Sequence, residues 1–416
     1  MADMFDTAPG TERVILLGVS LSDRDDTEAS LNELSELLET AGAETAGRLV
    51  QKRERPDPGT YFGKGKIQEL KELIFETEAN AVCADDELSP AQMKNLKDRL
   101  DVKVMDRTMV ILDIFARHAD TAAGKIQVEL AGLQYSAAHL EGLRASLSRL
   151  GGGIGTRGPG ETKIELDRRL IHDRISHLKA ELKELDRHRG VTRKMREKSG
   201  AFIAAIAGYT NAGKSTLLNR LTAADVRAED KLFATLDPAT RKLELPNARE
   251  ILLTDTVGFI RKLPHHLVDA FRSTLEETRY ADVIIHVVDA SDPEMDEKML
   301  VVYDTLRSLG VLEDKEIITV YNKMDIAGGE RLPKDIHASA EVRLSAATGE
   351  GTERLIALLT EFINRKRRPF ERVFPYSEAG KIGKIRERGE LISEEYTEEG
   401  IRVKAMVPPE LLPYLR

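Results

Sequence analysis

Over the first hundred residues, short strand-like segments alternate with stretches whose apolar positions recur at helical spacing. The segments 13–20 and 44–50 read as strands, and Leu31, Leu34, Leu37 and Leu38 between them fall on one helical face, with Gly42 as the stop. Segments 64–75, 80–84, 90–100 and 102–105 continue the alternation, which predicts a small α/β domain with mostly parallel strands. After Asp106 the strand signal ends, and 109–149 reads as one long helix or two. Ile164, Ile171, Ile175, Leu178, Leu182 and Leu185 place a second long helix at 161–189, packed antiparallel to the first, so that the glycine-rich stretch between them is the tip of a hairpin. A polar linker at 190–200 follows.

Strand runs then return at 202–207, 249–254 and 316–321, with a short one at 342–344 and a helix at 214–221. Beyond 368, candidate strands at 373–376, 391–396 and 401–407, the last two joined by a Glu-Glu-Gly turn, suggest a compact α/β appendix. The expectation is a multidomain α/β chain. An N-terminal α/β domain (1–106) and a helical hairpin with linker (107–199) precede a doubly wound, mostly parallel nucleotide domain (200–368), and a small α/β domain (369–416) closes the chain.

The central domain carries the chemistry. Gly208-Tyr209-Thr210-Asn211-Ala212-Gly213-Lys214-Ser215 is a complete phosphate-binding loop between a predicted strand and a predicted helix. Its glycines let the backbone curl around phosphates, N–H groups and the helix N-terminus supply positive potential, and the Lys214 ammonium reaches the β and γ oxygens. Ser215 offers a hydroxyl to magnesium. Downstream, Asp255-Thr256-Val257-Gly258 ends a strand, so Asp255 can hold the magnesium shell and the Gly258 N–H can meet a γ-phosphate. Phe233-Ala234-Thr235-Leu236-Asp237 lies in a charged, loop-like region and supplies Thr235 as the switch residue for the same ion.

Asn322-Lys323-Met324-Asp325 names the base. A carboxylate accepts two hydrogen bonds from the guanine N1–H and 2-amino group, a donor pair that adenine lacks. Asp325 is that carboxylate, placed after a strand at the end where open α/β sheets bind ligands. Asn322 and Lys323 pin base and loop, and Ser345-Ala346 complete the base pocket through backbone N–H groups. The catalytic set is Lys214, Thr235 and Gly258.

Composition narrows the class. The chain has 416 residues, too many for one ordinary core, and its only cysteine, Cys83, excludes an intrachain disulfide. No signal-like leader and no segment of bilayer-spanning length is evident, so a cytoplasmic site without membrane insertion is expected. The histidines show no metal-ligand spacing. Net charge is −9, yet 141–200 holds 15 Lys and Arg against 9 Asp and Glu, leaving −15 on the rest. Arg144, Arg149, Arg157, Lys163, Arg168 and Arg169 flank the glycine-rich stretch, and Arg187, Arg189, Arg193, Lys194, Arg196 and Lys198 cluster further on. Charge alone fits an anionic partner as well as a solvated helical face with interleaved ion pairs.

The whole chain resembles the HflX family of ribosome-associated GTPases. The likeness rests on the nucleotide motifs, on Leu150-Gly151-Gly152-Gly153-Ile154-Gly155-Thr156-Arg157-Gly158-Pro159-Gly160-Glu161-Thr162-Lys163, and on Pro56-Asp57-Pro58-Gly59-Thr60-Tyr61-Phe62-Gly63-Lys64-Gly65-Lys66 in the N-terminal domain. It implies a GTPase using Mg2+ that binds GTP and GDP, grips the large ribosomal subunit through its rRNA, and separates or rescues stalled ribosomes under stress; nothing in the sequence demands more than a monomer. Alternatives are a GTPase of ribosome assembly or RNA modification, and a nucleotide-switched regulator that binds a protein. Where Ras-like proteins carry a water-orienting glutamine this chain has Phe259, so slow intrinsic hydrolysis and stimulation by a partner are expected. Asn211 is placed either to help hold K+ beside the phosphates or to cap the loop.

Overall fold

The computed structural model describes residues 11–22, 26–150, 163–199, 202–222, 232–233, 239–246, 249–264, 267, 278–312, 315–328 and 332–415. The chain divides into two compact units. One contains Met1–Leu185, Glu229–Asp237 and Val257–Thr274, the other Asp186–Ala228, Pro238–Thr256 and Leu275–Arg416.

In the first unit, strands β1 (Arg13–Ser20), β2 (Glu44–Lys52), β3 (Ala81–Ala84) and β4 (Lys103–Asp106) form a wholly parallel sheet in the order β2-β1-β3-β4. The alternation of strand and helix accounts for this, because each crossover helix returns the chain to the end of the sheet where the previous strand began, so that successive strands run the same way. Helix α1 (Thr27–Thr40) buries Leu31, Leu34, Leu37 and Leu38, the four leucines of the apolar stripe. Helices α2 (Lys64–Thr77) and α3 (Pro90–Leu100) follow, the latter opened by a Ser89/Gln92 capping box with Pro90 in its first turn. The Asp106 side chain accepts from the Met109 N–H and starts α4 (Arg107–His118).

The expected helical stretch at 109–149 is two helices. Ala119 leaves the helical region at ψ 102°, and α5 (Ala122–Leu150) begins three residues on. In α6 (Lys163–Ser199), Ile175 and Leu178 join Leu130 and Ala137 of α5 in one apolar cluster, and Arg174 grips both oxygens of Glu129 at 2.7 and 2.9 Å. The expected linker at 190–200 is instead helical up to Ser199. A single Gly190 with open space around it costs only about 1 kcal/mol against alanine, too little to stop a run of good helix formers. The glycine-rich segment 151–162 lies outside the described residues.

In the second unit, β5 (Phe202–Gly208), β6 (Thr240–Leu245), β7 (Arg249–Asp255), β8 (Val283–Asp289), β9 (Glu316–Asn322) and β10 (Ala340–Arg343) build a six-stranded sheet, order β10-β9-β8-β5-β7-β6. All pairs are parallel except β6 with β7. The central strands are near-continuous apolar runs because helices cover both faces. Helix α7 (Lys214–Thr222) contributes Leu217 and Leu218 to that core, and the helix Thr352–Lys366 contributes Leu355, Leu359 and Phe362.

The C-terminal segment forms an antiparallel sheet, β11 (Arg368–Phe374), β12 (Glu390–Thr397) and β13 (Gly400–Val407), order β11-β13-β12. The first of these strands begins earlier than expected and ends before a short 3-10 turn at Tyr376–Glu378. The helix Ala379–Arg388 packs Ile382 and Ile385 against Phe374, Val403 and Ala405.

Candidate nucleotide site

β5 lies between β8 and β7 in the middle of its sheet, and its carboxyl end opens into the glycine loop before α7. The loop's tightness is set by Gly213, at φ +90°. A Cβ there would stand 2.3 Å from Asn322 Nδ2, so no other residue fits. Lys214 is buried, and its ammonium donates to the Tyr209 carbonyl at 2.7 Å. Burial pushes its pKa down to about 8 against the opposing pull of Asp255. A ligand rich in negative charge would restore the full cation.

Ser215 Oγ donates to Asp255 Oδ2 at 2.7 Å, which brings a hydroxyl from the start of α7 and a carboxylate from the end of β7 to one point. Two hard oxygen donors beside a phosphate loop suit magnesium, an ion that keeps waters and takes few protein ligands. Thr256, fully buried, donates to the Ile206 carbonyl at 2.8 Å and locks the end of β7 onto β5.

At the other end of the site, Asn322 joins two loops. Its Nδ2 donates to Ala212 O and its Oδ1 accepts from Ala346 N, both at 2.8 Å. Ser345, buried, is fixed through its N–H to Glu350 O at 2.9 Å. Lys323 adopts a left-handed φ of +61°, and its ammonium lies 2.6 Å from Asp289 Oδ2. Met324 N donates to Leu344 O at 3.3 Å. Asp325 is exposed just past the carboxyl end of β9.

The second unit therefore brings together Gly208 to Ser215, Asp255, Thr256, Asn322 to Asp325, Ser345 and Ala346. Phe233, Val257 and Gly258 belong to the first unit, and all three are buried there. Ala234, Thr235, Leu236 and Asp237 lie outside the described residues. Sequence reasoning missed Asp289, which orients Lys323 while accepting from the Ser291 N–H and Oγ–H at 3.0 and 2.6 Å. The available signal was a strand run, Val283 to Val288, apolar but for His286, ending in a carboxylate at a strand's carboxyl end.

A doubly wound sheet with a phosphate loop at its centre and an Asn-Lys-x-Asp loop tied to it is the core of a P-loop GTPase. The models of three families match in succession: GTP-binding GTPase N-terminal at 28–116, GTP-binding GTPase Middle Region at 118–196, and 50S ribosome-binding GTPase at 203–323. The chain belongs to the GTPase HflX family. It is 60% identical to GTPase HflX of Lacrimispora saccharolytica, over 99% of this chain and 97% of the relative. Identity to GTPase HflX of Escherichia coli is 42%, over 86% of this chain and 84% of the relative. Among solved structures it is similar to a GTP-binding protein from Sulfolobus solfataricus in complex with GDP, 24% identical, covering 85% of this chain and 99% of the other, with a TM-score of 0.43.

Proposed function

We propose that this chain is a GTP-hydrolysing switch that acts on the large ribosomal subunit. The observation that carries the nucleotide part is the Asn322 amide, which ties the phosphate loop to the base loop and leaves the Asp325 carboxylate exposed beside them. The ribosomal part is supported by the family whose model matches the central domain, described as a 50S ribosome-binding GTPase, and by the basic excess at 141–200.

In this reading the N–H groups of 208–215 cradle the phosphates, Lys214 reaches the β and γ oxygens, and Asp325 accepts from the guanine edge. Ser215, Asp255 and Thr235 would hold magnesium, which when bound neutralises phosphate charge. The Gly258 N–H meets the γ-phosphate, so its loss on hydrolysis releases the segment after β7. Phe259 is buried and carries no polar group to orient water, which keeps basal hydrolysis slow until a partner supplies or orders one. Asn211, at a left-handed φ of +59°, would either help hold K+ beside the phosphates or cap the loop, and turnover higher in K+ than in Na+ would favour the first. GTP favours the subunit-bound state, and hydrolysis frees a cytoplasmic monomer that has separated or rescued a stalled ribosome. No described helix is long and apolar enough to cross a membrane.

Two measurements test this. Purified large subunits should raise GTP turnover by as much as roughly 10³-fold, with stimulation falling steeply as salt rises; equal rates with and without subunits at every salt concentration would overturn the ribosomal assignment. By calorimetry, Asp325→Asn should weaken GTP binding by roughly a hundredfold, the loss of two charge-assisted hydrogen bonds. Unchanged GTP affinity in that variant would remove the base assignment.

A further inference from the structure

Helix α7 opens in the phosphate loop and is anchored in the core by Leu217 and Leu218. Arg220 stands in its last turn, where a cation ordinarily serves the free carbonyls of its own helix. Its guanidinium goes elsewhere. Nε donates to the Ala346 carbonyl at 3.1 Å and Nη2 donates to the Ala347 carbonyl, so one planar fork grips two consecutive residues of the loop that frames the base.

The rest of that loop is closed upon itself. Ser345 Oγ accepts from the Thr348 N–H at 3.1 Å, the Ser345 carbonyl accepts from the Gly349 N–H at 2.8 Å, and the Ser345 N–H donates to Glu350 O at 2.9 Å. Gly349, at φ +91°, passes beside the arginine stem, where a Cβ would stand 3.6 Å from Arg220 Cδ. Bonds of this kind set the loop's shape but not its aim. Asn322 and Arg220 brace it from outside: Asn322 Oδ1 accepts from the Ala346 N–H at 2.8 Å, and Arg220 holds the same residue by its carbonyl. Because a peptide unit is planar and trans, the Ala347 N–H points away from the Ala346 carbonyl and hence from the guanidinium. A charged donor makes this grip stronger than a neutral one would.

We infer that Arg220 is a positioning residue for guanine selection: its fork holds the Ala346 and Ala347 carbonyls and so keeps the N–H groups of this loop aimed at the oxygen of the base. This role rests on the reading that Ser345 and Ala346 frame a guanine. Asp325 and the loop then divide the base edge between them. The carboxylate reads the N1–H and 2-amino donors, while the N–H groups read the oxygen, which adenine replaces with an amino group.

The test titrates the full chain with GDP, 6-thio-GDP and IDP by calorimetry. Sulfur is a weak acceptor, so 6-thio-GDP impairs the contact to the base oxygen, whereas IDP lacks the 2-amino group that Asp325 reads. The parent should prefer GDP over 6-thio-GDP by roughly three- to tenfold, the worth of one hydrogen bond. Arg220→Met should bind GDP roughly three- to tenfold more weakly, lose that preference, and keep the preference for GDP over IDP. Arg220 is exposed, so its replacement leaves the core intact. Arg220→Lys keeps the charge but has no fork; it should fall between the parent and Arg220→Met, and it keeps the experiment decisive should the methionine variant misfold. General loosening of the loop would instead lower both preferences together. That outcome, a parent indifferent to the sulfur, a methionine variant that still discriminates against it, or a lysine variant equal to the parent would each overturn the role of Arg220. If the parent prefers GDP over neither IDP nor ADP, the base reading fails and this role with it. If the parent prefers GDP over both and the variants match it, the role of Arg220 alone fails.

Discussion

The N-terminal and central sheets share one architecture and use the same edge in opposite ways. Each places its polar groups at the carboxyl ends of parallel strands, where backbone geometry leaves a crevice. In the central sheet that crevice carries a glycine loop and the Lys214 ammonium, open to an anionic ligand. In the N-terminal sheet it carries Asp85, Asp86 and Asp106, and the chain's own cations Arg107 and Lys262 fill it. Fold class thus says where a site lies, and the sign of the local charge says whether a ligand or the protein itself occupies it.

The contrast predicts that a cation at the N-terminal edge is structural and one at the central edge is functional. The largest expected effect is from Arg107→Met. It strands the buried carboxylates of Asp85 and Glu33, so the N-terminal unit should lose about 3–5 kcal/mol in denaturant melts. Lys214→Met should do the reverse, leaving the melting temperature level or higher because burial already disfavours the charge, while GTP turnover falls on the order of 10²–10³-fold. A Lys214 variant that unfolds, or an Arg107 variant that melts like the parent, would break the comparison. The smallest effect sharpens it: Asp289→Asn should leave Lys323 less well oriented and weaken GDP binding by roughly three- to tenfold, read from the dissociation rate of a fluorescent nucleotide.

The phosphate loop and the Asn-Lys-x-Asp loop were legible in the sequence because their chemistry is contiguous. Eight residues from Gly208 to Ser215 carry all the groups a phosphate cradle needs, and the strand before them is an unbroken apolar run. The N-terminal sheet was legible for the same local reason, since strand runs and the Leu31 to Leu38 stripe alternate plainly. The reach of α6 past Gly190 was not, because one glycine weighs more in a reading by eye than its small energetic cost warrants. The helix Ala379–Arg388 was hidden by Gly380 and Gly383. Nothing local could announce the Lys262–Asp85 ion pair: the two residues stand 177 positions apart, and each reads alone as a solvated charge. The end of a strand run marked Asp289 locally, but its pairing with Lys323 emerges only when β8 and β9 set Asp289 opposite Asn322 in register.

The Asn322 side chain has a further thermodynamic implication. One amide is shared between the loop that grips phosphates and the loop that frames the base, through Ala212 O on one side and Ala346 N on the other. The two halves of a nucleotide are thus recognised by subsites in mechanical communication, and occupancy of one preorganises its neighbour. A bare nucleoside or an inorganic polyphosphate would forgo that cooperativity, so their separate binding free energies should sum to less than the intact molecule delivers.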